Sequence, residues 1–248
     1  MNLPKRYEET LLLRTCDCDL YGLWRPGAIL ETMQETAGSS CYALGIGMEA
    51  LRAMNLAWVV SSTRVEFTRL PAIGERIRVE TYPTPPRHMF FPRSHLFTDA
   101  SGEVIGRANS LWVTLDISAR KAVRSDEVLS RIPDHRDLPL ALPLPVPVHL
   151  PEGAQPTRVE YLPQYTDFDV NGHVNNTRYM DWCMNALGLP LLRERAVTAF
   201  TVHYDSEVLP ETRVQTLCSA NQEGFVFQGE AEGKRCFAIG GKLTERAK

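Results

Sequence analysis

Nothing in this 248-residue chain resembles a membrane-crossing helix: no stretch approaches the roughly 18 uninterrupted apolar residues that a span requires. The first residues, Met1 to Glu9, carry charge and lack an apolar h-region, so no secretory signal is expected. A net charge of -3 without a basic stripe argues against nucleic acid as a partner. Cys16-x-Cys18 has neither a second cysteine pair nor a histidine cluster nearby, so no structural zinc is expected. The chain has no Gly-x-Ser-x-Gly elbow and no phosphate-binding glycine loop. Gly45-x-Gly47-x-x-Ala50 imitates a dinucleotide fingerprint, but it follows a predicted helix rather than a strand. No cofactor is therefore expected. The six cysteines are scattered through a mid-sized chain without export signals, which reads as reduced thiols in a cytoplasm.

What is present is an ordinary globular composition, 44 % apolar and 23 % charged. Proline punctuates the middle: Pro133, Pro139, Pro143, Pro145, Pro147, Pro151 and Pro156 fall in one stretch. Such spacing removes backbone donors and favours extended polyproline II, so 133–158 reads as a stiff linker between domains at 1–132 and 159–248. Each domain opens alike. Asp17-Cys18-Asp19-Leu20-Tyr21-Gly22 recurs as Asp167-Phe168-Asp169-Val170-Asn171-Gly172, an offset of 150 residues. After Pro26, Ile29, Met33, Ala37 and Cys41 recur every fourth residue, one apolar helix stripe. A second helix places Tyr179, Trp182, Cys183, Ala186 and Leu187 on one face and stops at Gly188 and Pro190.

Strands follow both helices. Ile77, Val79 and Thr81 alternate with charged residues, the period of a half-buried strand. Asp99 to Gly102 reads as a turn between strands at 95–98 and 104–115. The second half offers strands at 199–204, 213–220, 225–232 and 235–243. One helix followed by antiparallel strands, twice, predicts an α+β fold, each half a helix wrapped by a sheet.

The run Asp167-Phe168-Asp169-Val170-Asn171-Gly172-His173-Val174-Asn175-Asn176 resembles the signature of the acyl-acyl carrier protein thioesterases, an Asp-x-Asn-x-His-Val-Asn-Asn run before an aromatic-rich helix. The segments 57–60, 69–75 and 108–113 look like further family blocks, and the likeness runs from about Glu8 to about Leu243. The resemblance implies a tandem hot-dog fold, and the lack of a visible transit peptide points it to the bacterial, cytosolic branch. It implies hydrolysis of acyl thioesters on acyl carrier protein, ending fatty acid synthesis. A glutamate in a Tyr-x-x-Glu context is also implied, and Tyr204-Asp205-Ser206-Glu207 places it at Glu207. Many family members carry cysteine at the next position; Val208 stands there, which removes a thiol nucleophile.

Thioester hydrolysis needs donors for the developing oxyanion and a base to activate water. Asn171 and His173, two apart on an extended segment, can face one ligand, with Asp169 one step further to orient them. The helix that follows should offer open N–H groups in its first turn. Glu207 is assigned as the water-activating base. Tyr21 and Leu23 stand where Asn171 and His173 stand in the second copy, so one catalytic site per chain is expected. Met33, Ala37, Met48 and Met54 are candidates for acyl-chain lining. Arg64, Arg69, Arg87, Arg93, Arg120, Lys121 and Arg178 are candidates to grip an acidic carrier, Arg69 and Arg178 foremost. An acyl-CoA thioesterase and a non-catalytic acyl-thioester sensor are the competing readings, and a homodimer is left open.

Overall fold

The computed structural model describes residues 5–133 and 136–246. The chain divides into two compact units, Met1–Pro145 and Val146–Lys248.

The first unit runs β1 (Tyr7–Leu12), α1 (Pro26–Ala43), α2 (Met48–Ala53), β2 (Leu56–Phe67), β3 (Arg76–Pro83), β4 (Phe91–Thr98), β5 (Val104–Asp116), β6 (Lys121–Val123) and α3 (Asp126–Arg131). Its strands lie in the order β1-β3-β4-β5-β2, all antiparallel, with β6 on β5. The second unit runs β7 (Thr157–Tyr161), α4 (Arg178–Glu194), β8 (Arg195–Tyr204), β9 (Val214–Ala220), β10 (Gly224–Ala231) and β11 (Lys234–Glu245). Its order, β7-β9-β10-β11-β8, is the same path drawn again. In each copy the long helix follows the first strand, and the second strand ends on the far side of the sheet.

The repeat reaches individual hydrogen bonds. In the first copy Asp19 N–H donates to Leu23 O (2.8 Å), Gly22 N–H to Asp19 O (2.9 Å) and Arg25 N–H to Asp17 O (3.0 Å). In the second, Asp169 donates to His173 O (3.1 Å), Gly172 to Asp169 O (3.0 Å) and Asn175 to Asp167 O (2.8 Å). Gly22 and Gly172 close these turns at φ 74 and 81, a conformation that a side chain disfavours.

Local chemistry explains the helices. Pro26 starts α1, where its missing N–H costs nothing, and Ile29, Met33, Ala37 and Cys41 form its buried stripe as the spacing predicts. α4 breaks at Gly188 (φ 77), where the sequence predicts its stop, but the break is a kink: helix resumes beyond it, with Pro190 inside, and runs to Glu194. One stripe residue differs: Ala186 is exposed and Met180 is fully buried in its place. The buried face is thus Tyr179, Met180, Trp182, Cys183 and Leu187, a wider arc than the predicted stripe. β4 begins at Phe91 rather than at 95, and the sequence reading passed over β1 and β7 altogether. No helix of the described residues is long and apolar enough to cross a membrane.

The proline-rich stretch covers sheet surface. Arg93 and His95 face α1, so Ser94 between them faces away. There Ser94 Oγ accepts from Ala141 N–H (3.1 Å), Asn109 donates to Leu142 O, and Tyr82 OH donates to Pro139 O (3.0 Å). Further on, Val146 O meets His203 Nε2 at 2.7 Å in the second unit.

Under α1 the core is aromatic. Trp24 packs edge-on against Phe67 and Phe97, at centroid distances of 6.0 and 5.6 Å. Gly106 lies beneath Phe67, and a Cβ there would meet the ring at 2.4 Å. Gly106→Ala should therefore lower unfolding free energy by about 1–3 kcal/mol, the usual range for overpacking, read from urea denaturation. An unchanged midpoint would show that the ring has room to move.

Candidate active site

Asp169 builds the turn that carries the candidate residues. Its Oδ1 accepts the Asn171 N–H at 2.8 Å, an Asx turn that holds the chain in a hook. Its Oδ2 takes Asn175 Nδ2 at 3.4 Å. Phe168 and Val174 bridge the two arms of the hook. Asn171 sits at its exposed tip, and Asp169 and His173 are half-buried on its arms.

His173 Nδ1 lies 3.2 Å from Val174 O and 3.8 Å from Asp169 Oδ1. Both neighbours are acceptors, so the neutral ring carries its proton on Nδ1 and leaves Nε2 as an acceptor. The ring is thereby set to receive a hydrogen bond from water.

Glu207 comes from the loop after β8, and that loop is pinned on both sides. Asp205 and Ser206 N–H groups donate to Cys236 O (2.8 and 3.1 Å), and Arg235 Nε donates to Asp205 Oδ2 (2.7 Å). Beyond Glu207, Val208 O accepts the Val174 N–H at 2.9 Å. That bond brings the residues beside His173 and beside Glu207 together. The structure thus gathers Asp169, Asn171 and His173 on one turn and fastens the Glu207 loop next to it, with the Glu207 side chain exposed.

Two residues that hold this arrangement were assigned no role by sequence reasoning. Asp167, buried, accepts from Gln164 N–H (2.7 Å) and from Trp182 Nε1 (3.2 Å), tying the turn to α4. Its repeat partner Asp17 makes the matching cap with Arg14, which was a signal the duplicated Asp-x-Asp offered. Asn175 Oδ1 accepts from both the N–H (3.0 Å) and the hydroxyl (2.8 Å) of Thr177. This corrects one expectation about the helix start. The N–H groups of Thr177, Arg178 and Met180 are already taken by Asn175 Oδ1, Asn175 O and Thr177 O, so much of the first turn is closed to a ligand.

Beneath the turn, Tyr179 stacks on Phe237 at 4.2 Å and meets Trp182 edge-on at 5.3 Å. Burial raises the phenols of Tyr179 and Tyr204, so both stay neutral. Cys183 is fully buried and its thiol is likewise pushed well up, which disfavours a thiolate. All six cysteines are free. Among the described residues, no group of three or more His, Cys, Asp or Glu side chains is placed to hold a metal ion.

The other candidates divide. Met33 and Ala37 lie on the buried stripe of α1, and Met54 packs partly buried beside it. Met48 is 43 % exposed at the start of α2, where it faces solvent rather than the interior. Arg178 pairs with Asp181 at 3.0 Å at the start of α4. Arg69 is clamped by Glu75 (2.9 Å) and Asp99 (2.8 Å), two carboxylates that already neutralise it toward an acidic carrier. Arg93 is not a surface residue at all; it is buried between α1 and the sheet.

With this geometry in place, relatives can be compared. The N-terminal domain model of the acyl-ACP thioesterases matches residues 4–132, and the C-terminal domain model matches 151–240. The chain belongs to the acyl-ACP thioesterase family. A palmitoyl-acyl carrier protein thioesterase of Gossypium hirsutum is 29 % identical over 82 % of this chain and 52 % of its own length. An oleoyl-acyl carrier protein thioesterase of Coriandrum sativum is 26 % identical over 86 % and 62 %. The chain therefore spans little more than half the length of these curated relatives. An acyl-ACP thioesterase from Bacteroides thetaiotaomicron superimposes with a TM-score of 0.85 at 22 % identity, covering 97 % of this chain and 98 % of that one. A 12:0-ACP thioesterase from Umbellularia californica gives 0.86 at 20 %, covering 98 % of each. The fold is the tandem hot-dog that the family resemblance implies and the duplicated sequence fits.

The Arg69 clamp generates a prediction. Hydrogen bonds from Ser101 first, and then from Arg69, hold the Asp99 carboxyl down at about 2, against an ordinary value of 3.8. A depressed folded-state value gives stability that is complete above the ordinary value and is lost as pH falls toward 2. Arg69→Met should narrow that window, raising the midpoint pH of acid unfolding followed by circular dichroism. An unmoved midpoint would mean that Ser101 and the backbone hold Asp99 alone.

Proposed function

We propose that this protein hydrolyses acyl thioesters carried on acyl carrier protein, using water activated by Glu207 and held by His173 and Asn171. The observation that carries this reading is the Val174–Val208 backbone bond, which fastens the Glu207 loop beside the His173 turn. Family membership over both domains and the activities for which the relatives are named support it. A cytoplasmic setting goes with this reading, supported by free thiols that include the exposed Cys16.

The steps follow from the donors and acceptors present. Water donates one proton to Glu207 while His173 Nε2 accepts its other hydrogen bond, so its oxygen is aimed and made more nucleophilic. The Asn171 amide, a neutral donor at the tip of the hook, offers two N–H groups, one to hold the water and one for the developing oxyanion. The oxygen attacks the thioester carbon to form a tetrahedral oxyanion; collapse breaks the C–S bond, and the proton held by Glu207 passes to the leaving thiolate. Asp169 positions the hook and keeps the His173 proton on Nδ1. Met33 and Ala37 are proposed to contact the acyl chain, and Arg178 to face the acidic carrier.

General-base assistance contributes about 10²–10⁴-fold, so Glu207→Ala should lose at least that order in kcat. His173→Ala and Asn171→Ala should fall steeply as well, and the double variants less than additively, because the groups act on one water. Cys183→Ala should retain most turnover. Parallel assays of one acyl group on acyl carrier protein and on CoA would then fix the carrier. A well-folded Glu207→Ala enzyme with near-full turnover, alongside an inactive Cys183→Ala, would refute the mechanism.

A further inference from the structure

A single hydrogen bond fixes a distance but leaves a pivot. The Val174–Val208 bond sets the gap between the hook and the Glu207 loop, and by itself leaves their relative tilt free. A second anchor stands at the base of the hook. Asp167 grips both arms there: it precedes Asp169 on the entering arm, and its carbonyl accepts the Asn175 N–H of the leaving arm at 2.8 Å. Its buried carboxylate reaches two ways, Oδ2 to the Gln164 N–H (2.7 Å) and Oδ1 to Trp182 Nε1 on α4 (3.2 Å).

Trp182 is a rigid post for that bond. It is 2 % exposed, and three rings hold its plane: Tyr161 of β7 at 4.2 Å, Tyr179 at 5.3 Å and Phe237 of β11 at 6.1 Å. A close-packed indole keeps one rotamer, so Nε1 is a fixed point and holds the Asp167 carboxylate in place. β7, α4 and β11 thus bear together on one hydrogen bond beneath the hook.

The duplication shows that this anchor is separate from the turn itself. Asp17 stands where Asp167 does, and its carbonyl takes the Arg25 N–H at 3.0 Å, so the base closes in the same way. Its carboxylate goes elsewhere. Oδ2 accepts the backbone N–H and Nε of Arg14 (2.9 and 3.0 Å), and Oδ1 accepts Nη2 (3.0 Å). Arg14 lies on the same arm, three residues back, with an exposed side chain. At the offset of 150, Gln164 answers to Arg14 and Trp182 to Thr32. Among the described residues no hydrogen bond joins Thr32 to Asp17. Of the two copies, the one that carries Asn171 and His173 has the tie to its long helix.

We propose that Trp182 and Asp167 are positioning residues for the hydrolysis: their bond stops the hook from tilting on α4, so Asn171 and His173 keep their orientation toward the Glu207 loop. The pair acts through the hook and has no place among the reacting groups. This rests on the reading of Asn171, His173 and Glu207 as those groups. Misplacement by about 1 Å can cost on the order of 10²-fold in rate, so a tilted hook is felt in turnover. The acyl chain and the carrier are contacted elsewhere, so the effect falls on kcat and spares KM.

Steady-state hydrolysis of an acyl carrier protein thioester by the whole chain, with urea denaturation of each variant, tests this. Trp182→Phe keeps a ring and removes the donor; it should lower kcat about tenfold or more and leave KM within about twofold. Asp167→Asn has one oxygen for two donors and should do the same. The double variant should lose no more than the larger single loss, because both changes break one bond. Asp17→Asn breaks the matching cap of the first copy and controls for a merely structural role: it should lower stability and leave kcat and KM unchanged. Should Trp182→Phe fail to fold, Asp167→Asn decides. Folded variants with wild-type kcat, losses that add, or an equal fall in kcat for Asp17→Asn would overturn the inference. If Glu207→Ala abolishes turnover while Trp182→Phe spares it, the proposed hydrolysis stands and the positioning role falls alone.

Discussion

One backbone hydrogen bond, from Val174 N–H to Val208 O, joins two stretches more than thirty residues apart in sequence. Everything proposed for the site depends on it. The hook is stiff by itself, because Asp169 satisfies both the N–H of Asn171 and the side chain of Asn175. The loop of Glu207 is stiff by itself, because Cys236 and Arg235 hold Asp205 and Ser206. A single N–H···O bond between two such rigid pieces fixes their spacing. Buried backbone donors are rarely left unmet, so the bond is also a requirement of the fold.

The first copy shows what the hook is worth without its chemistry. Asp19 caps Tyr21 and Leu23 through Oδ1, at 2.9 and 3.1 Å, just as Asp169 caps Asn171. The hook there leads into α1, with Trp24 buried in the core behind it. Its tip carries Leu20 and Tyr21, both exposed, where the second copy carries Val170 and Asn171. The scaffold stands in both copies, while His173 and Asn171 of the second have Leu23 and Tyr21 as their counterparts in the first.

Much of this was legible in the sequence, and the reasons are specific. The repeat could be read because Asp-x-Asp-x-x-Gly encodes an Asx turn closed by a positive-φ glycine, a local structure that needs no tertiary context. The stripe of α1 could be read because it has a strict period of four. α4 was less legible: its aromatic side chains cover a wide arc, so Met180 is buried and Ala186 is not. β1 and β7 were missed because they are short edge strands with mixed polarity. Arginines were the least legible of all. Arg69, Arg93 and Arg178 look alike in a sequence, yet one is clamped by two carboxylates, one is buried without any, and one caps a helix start through Asp181. Only the third dimension separates them.

The central claim is that water, and not the Glu207 carboxylate, attacks the thioester. The most direct measurement is a single turnover in ¹⁸O-labelled water, with mass analysis of both the released acid and the peptide containing Glu207. General-base hydrolysis places one ¹⁸O in the acid and none in the protein. Attack by Glu207 would pass through an acyl anhydride, and opening of that anhydride at the enzyme carbonyl would put ¹⁸O into Glu207 and leave the acid unlabelled. Label in the Glu207 peptide after one turnover would contradict the mechanism; label confined to the acid is the predicted result.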